Sequence, residues 1–217
     1  MTAVGTPVSG AVVAGEHGSS RWGALAGVVF GVALAVVSFM TAGEPDGSNA
    51  AKVQAWEVKH TTLMNVSVVV IMLTVIVGMY FLTWVHSQLV GREAGWPGAA
   101  FLLGAVIWAV SGLISAGLHA VIGGDAKHLS TGALQLVASL DSNLTYPMAC
   151  TGVAVMFLGA GFLTRRSGLL PGWLAWVSWV FVVFGASFVL GFVAILGAAL
   201  WVIVVGIILS TRNPAYR

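Results

Sequence analysis

Residues 172–210 read GWLAWVSWVFVVFGASFVLGFVAILGAALWVIVVGIILS, an apolar run without one charged side chain. As a single helix rising 1.5 Å per residue it would be about 58 Å long. That is nearly twice the roughly 30 Å thickness of a bilayer's hydrocarbon core. A chain confined to lipid must therefore turn back inside this run. Gly185, Ser187 and Gly191 mark the expected turn, because glycine tolerates the dihedrals a tight reversal needs. The run then divides into two spans, 172–190 and 191–210.

Four further stretches of the same character precede it, at 22–42, 63–85, 98–122 and 147–164. Backbone amides have no partner in hydrocarbon, so runs of this length read as helices. Strands of a membrane barrel would alternate apolar and polar residues, and these do not. Composition agrees: 59% of the 217 residues are hydrophobic and 7% are charged, against about 25% charged in a soluble domain. The expected fold is all-α, a polytopic bundle of six transmembrane helices. Residues 1–20 and 213–217 read as tails, and 43–62 and 123–146 as the two substantial outer segments. The first stretch reads as a span and not a cleaved leader, since its apolar run is long and Met40-Thr41-Ala42 is a poor cleavage site.

Orientation follows from the basic residues. Arg21, Arg92, Arg165, Arg166, Arg212 and Arg217 fall in segments that alternate with those holding Lys52, Lys59 and Lys127. Basic residues concentrate on the cytoplasmic side, which predicts both termini inside. The expected location is a bacterial cytoplasmic membrane.

Few residues suggest chemistry. No Lys, Arg, Asp or Glu falls deep in a predicted span, which argues against a pump or ion-coupled carrier. The motifs of serine hydrolases, zinc proteases and phosphate-binding loops are missing. Ser111 and His119 share one helix two turns apart, which is no nucleophile–base geometry. Cys150 reads as a packing residue. One outer cluster stands out: Glu57, His60, His119, Asp125 and His128, with Asp141 on the same side. Imidazole and carboxylate suit Zn, Cu or Fe, and two facing histidines could hold haem. Interfacial histidines that bind nothing are the commoner case, and no cofactor is expected.

Two other patterns bear on packing. Gly23, Gly27, Gly31 and Ala35 form a four-residue ridge that lets another helix approach closely. The neighbour is a partner protein, a second copy or, more simply, another helix of the same bundle. Trp22, Trp56, Trp84, Trp96, Trp173 and Trp176 are expected as anchors at the membrane interface. Trp179, deepest in the Trp173–Trp176–Trp179 stripe, fits an anchoring belt least well.

Two short motifs carry a resemblance. One is Pro45-Asp46 followed by a segment through Trp56 to Lys59-His60; the other is Leu170-Pro171-Gly172-Trp173-Leu174-Ala175-Trp176. Over roughly residues 20–210 the chain resembles multipass membrane proteins of actinobacteria to which no activity is assigned. Gly172 stands where that group usually has a basic residue. The resemblance implies the six-span architecture and no catalytic residue. Together these readings favour a non-enzymatic accessory, scaffold or sensing subunit whose partners are the bilayer and a membrane protein or second copy, with no nucleic acid. A metal- or haem-binding redox protein is the alternative, and transport of a lipid or small solute a further one.

Overall fold

A computed structural model describes residues 19–41, 43, 45, 49–90, 95–125, 128–188 and 190–212. The described chain is an all-α polytopic membrane bundle. Its helices are α1 (Ser19–Thr41), α2 (Ala50–Leu89), α3 (Gly95–Asp125), α4 (Thr131–Leu140), α5 (Tyr146–Ser167), α6 (Gly172–Ala186) and α7 (Gly191–Arg212), with a π-helical turn, Asp141–Thr145, joining α4 to α5. Five helical segments are long and apolar enough to cross a membrane, α4 to α5 counting as one, and α6 is a shorter apolar helix. At 15 residues α6 spans only about 22 Å.

The spanning helices and α6 contact one another in the cyclic order α1, α2, α3, α5, α6, α7 and back to α1. Large apolar side chains such as Leu25, Val29, Val32 and Phe39 line the outside of this ring, as a lipid-facing surface requires. Inside, Phe30, Phe81, Phe101, Trp108, Phe157 and Trp201 lie at the heart of the main core.

The outer segments differ from expectation. Asn49 caps α2 by accepting a hydrogen bond from the Lys52 amide at 3.1 Å, and the helix then runs unbroken into the second span. The only concession to a boundary is a kink at His60 (φ −111°, ψ 20°). There the ring Nδ1 lies 2.7 Å from the Trp56 carbonyl one turn back, and a side chain competing for a ladder carbonyl is a recognised cause of kinks. The fourth span likewise starts sixteen residues before the expected 147, at Thr131, with Ser130 capping the Ala133 amide. The π turn Asp141–Thr145 joins the two parts, and Pro147 follows in the first turn of α5. The projecting parts of α2 and α4 pack on each other around Val53, Met64, Ile122, Leu134 and Ala138, forming a crown at one end of the bundle.

The α6–α7 hairpin falls where expected, with Ser187 ending α6 and Gly191 opening α7. Its left-handed residue is not a glycine, however: Phe188 has φ +52°. Gly185 and Gly191 serve close packing instead. A Cβ on Gly185 would lie 2.9 Å from the Cys150 carbonyl oxygen, and one on Gly191 would strike the Cys150 sulfur. Cys150 itself is buried and unpaired by disulfide.

The α1 ridge is occupied from within. Gly23 faces the Trp84 ring, Gly27 faces Phe81, and Gly31 faces Ile203 and the Ala199 carbonyl of α7, while Ala35 packs against the main core. Trp84 is therefore buried under α1, not an interfacial anchor. The tightest crossing is one the ridge pattern did not single out. A Cβ on Gly152 would lie 2.6 Å from the Trp108 amide nitrogen, and one on Gly159 would lie 2.5 Å from that of Phe101. Gly104 meets the Met156 backbone in the same seam, so α3 and α5 touch main chain to main chain.

Candidate functional site: a hydroxyl-lined cavity beneath the crown

The ring does not close completely. Beneath the crown, five elements (α1, α2, α3, the π turn with α5, and α7) line a half-open cavity of about 290 Å³. Its walls combine apolar side chains such as Leu34, Val75, Phe192 and Ile195 with Ser38, Thr74, Ser111, Ser115, Asp141, Thr145 and Tyr146. Trp108 presents its indole to the same space.

Asp141 dominates the electrostatics. The π turn carries its carboxylate into the bundle wall, where the side chain keeps 18% exposure. Thr145, one turn on, is placed to donate its hydroxyl to Asp141 Oδ1 (2.6 Å) or to the Asp141 carbonyl (2.5 Å). Ser115 of α3 lines the same cavity. Oδ2 faces His119 Nε2 at 3.5 Å, and the imidazole is fully buried. On its far side, His119 Nδ1 is 3.0 Å from Ser67 Oγ. Ser67 Oγ also lies 2.7 Å from the Met64 carbonyl, to which it donates. His119 thus meets Ser67 through Nδ1 and Asp141 through Nε2, and it donates to both only as the imidazolium. The array Ser67–His119–Asp141 thus ties α2, α3 and the π turn together.

The order of contacts matters chemically. In a nucleophile–base pair the hydroxyl gives its hydrogen to the imidazole. Here it goes to a backbone carbonyl, and Ser67 is 1% exposed, so the array positions Asp141 and offers no nucleophile to the cavity.

The remaining hydroxyls behave alike. Ser38 donates to the Leu34 carbonyl (2.8 Å), Thr74 to Val70 (2.6 Å) and Ser111 to Trp108 (2.7 Å). Each spends its hydrogen on its own helix, and what remains available is oxygen lone pairs.

The outer cluster read from sequence is dispersed. Glu57 is fully buried in the crown. His60 stands at the α2 kink with its ring 4.5 Å from that of Trp56. His119 is engaged with Ser67 and Asp141, and His128 is exposed on the α3–α4 connection. The Asp125 side chain lies outside the described residues. Among the described residues, no three His, Cys, Asp or Glu side chains gather as a metal site. Of the expected anchors, Trp22, Trp96, Trp173 and Trp176 are exposed and Trp56 is half-buried against His60. Trp179 packs edge-on against Phe162 and Trp176, with the Arg165 guanidinium 5.6 Å from its ring centre. It belongs to a small aromatic–cation cluster.

Sequence reasoning placed Asp141 in an outer loop and passed over Ser38, Thr74, Ser115, Thr145 and Tyr146. A signal was present: Ser111 and Ser115, and Asp141 and Thr145, recur at four-residue spacing in apolar surroundings, the spacing of one helical face.

No protein-family model, curated protein or solved structure matches this chain.

Proposed function

We propose that this protein is a non-enzymatic sensing subunit that binds a small molecule in the cavity beneath its crown. The observation that carries the reading is Asp141. In a chain with so few charges, one carboxylate is held in a cavity wall between Thr145 and His119. Ionisable groups at such depth are costly and usually mark a functional site, and pockets with few convergent polar groups are where ligands bind. Occupation of the α1 ridge by Trp84, Phe81 and Ile203 removes the sequence argument for a partner at that face. A bound ligand would touch five elements at once, so its binding energy can bias how they pack.

The test is thermal unfolding of detergent-purified protein against a library of small solutes. Ala149 lines the cavity, and Ala149→Leu fills it. Solutes that raise the wild-type melting temperature should have no effect on Ala149→Leu. An unchanged response in that variant would overturn the reading. Carriage of the same solute across the membrane is a second reading the cavity favours, and uptake into proteoliposomes distinguishes it.

The setting proposed is a bacterial cytoplasmic membrane crossed six times, with both termini inside and the crown outside. The arginine pattern supports it, as does the likeness of the Pro45-Asp46 and Leu170–Trp176 motifs to actinobacterial multipass proteins. Tags at both ends should be protected in intact cells; labelling of either overturns this orientation.

A further inference from the structure

Resting on the reading of the cavity as a ligand site, we infer that the ligand it takes is a small organic ammonium ion. The argument starts from what the walls can offer. Ser38, Thr74 and Ser111 have committed their hydrogens to backbone carbonyls at 2.6 to 2.8 Å, so towards the cavity they act as acceptors. Asp141 is an acceptor by nature when ionised, and a carboxylate has about four lone-pair sites. Thr145 donates to one oxygen, His119 Nε2 lies 3.5 Å from the other, and the side chain, 18% exposed, is part of the cavity wall. Among the described residues, no Lys, Arg or His lines the space. A wall made of acceptors that includes the Asp141 carboxylate is matched by a ligand rich in N–H donors and positively charged.

The rest of the cavity sets the body of the ligand. Its 290 Å³ stands near the lower end for ligand pockets, about 300 Å³, and far exceeds a bare metal ion. Phe192 and Ile195 supply apolar surface opposite the polar side chains. Trp108 and Tyr146 also line the space, and aromatic rings attract ammonium groups. A short amine with an apolar or aromatic tail satisfies both halves, whereas an anion would meet only lone pairs and a carboxylate.

The test uses three probes of matched shape: 2-phenylethylamine, 2-phenylethanol and 3-phenylpropanoate. Each is titrated into the full-length protein in nanodiscs, with binding read by calorimetry and thermal shift. The amine should bind about tenfold or more tightly than the alcohol, because hydrogen bonds to a charged group are the stronger kind, and the carboxylate should not bind. Asp141→Asn should abolish the amine's advantage while leaving alcohol binding within about threefold, since the apolar contacts persist. Should Asp141→Asn fail to fold, Thr74→Val keeps the shape, removes one acceptor, and should weaken the amine several-fold more than the alcohol. Equal binding of amine and alcohol, or preference for the carboxylate, overturns the ammonium inference while leaving the cavity as a ligand site. An equal stabilisation by sodium or potassium chloride alone overturns it in favour of a bare cation. If no probe binds, both the inference and the reading beneath it fall.

Discussion

Helices α3 and α5 meet twice, in opposite ways. At Gly104, Gly152 and Gly159 they bring main chain onto main chain, with no room for a Cβ. About a turn further, Ser111, Ser115, Asp141 and Thr145 line the walls, and the bundle stays open as a cavity. The π turn lies at the transition between the two regimes, Asp141–Thr145, consistent with the frequent occurrence of such turns at functional sites. Lipid supplies no hydrophobic drive for helix association, so closeness depends on small residues. The closed seam is where side chains have been deleted, and the open region is where polar ones have been kept.

That contrast can be broken most forcefully at the seam. Gly152→Leu should cost about 3 kcal/mol or more, because the atoms it meets are backbone and cannot rotate away. A wild-type melting temperature for the purified variant would show that the seam is not close-packed. Gly27→Leu should cost less, about 1–3 kcal/mol, since its neighbour is the Phe81 ring, a side chain that can shift. Size-exclusion behaviour should not change, and a shift to a smaller assembly would mean that this ridge also serves a partner.

At the cavity, His119→Ala removes the bridge between Ser67 and Asp141. A loss of about 1–3 kcal/mol is expected from buried groups left unpaired, with partial recovery in His119→Gln. Equal stability of wild type and His119→Ala in a denaturant titration would detach the array from the fold. The smallest effect belongs to Ala149→Leu, which places atoms in existing space and should change stability by no more than about 1 kcal/mol. A large destabilisation there would indicate a wall already packed against its neighbour.

Much of the architecture was readable before any coordinates. The uncharged run at 172–210 forced a hairpin, and α6 and α7 turn between Ser187 and Gly191. The first and third spans lie within a few residues of the helices that contain them. Helix ends in the outer segments were less legible. Hydropathy marks where lipid contact stops, and neither Asn49–Thr61 nor Thr131–Asp141 faces lipid alone. Those residues stay helical because α2 and α4 bury Val53, Met64 and Leu134 against each other, a pairing distant in sequence.

The site was read only in fragments. His119 and Asp141 were both noticed, on the same side of the membrane, but as members of a metal cluster with Glu57 and His60. Nothing in their spacing says that the π turn rotates Asp141 inward while the kink leaves His60 bonded to the Trp56 carbonyl. Nor does a serine in an apolar helix announce whether its hydrogen is spent on its own backbone or offered to a cavity.

By itself the sequence determined the solvent this chain lives in, the helical form of its spans and the place of the last reversal. Those depend on local composition and length, since hydrocarbon leaves an isolated segment few options. The tertiary structure alone decided which glycines touch, where the ring fails to close and which carboxylate faces the gap. Such outcomes arise from the relative rotation of helices, which is set by contacts between residues tens of positions apart.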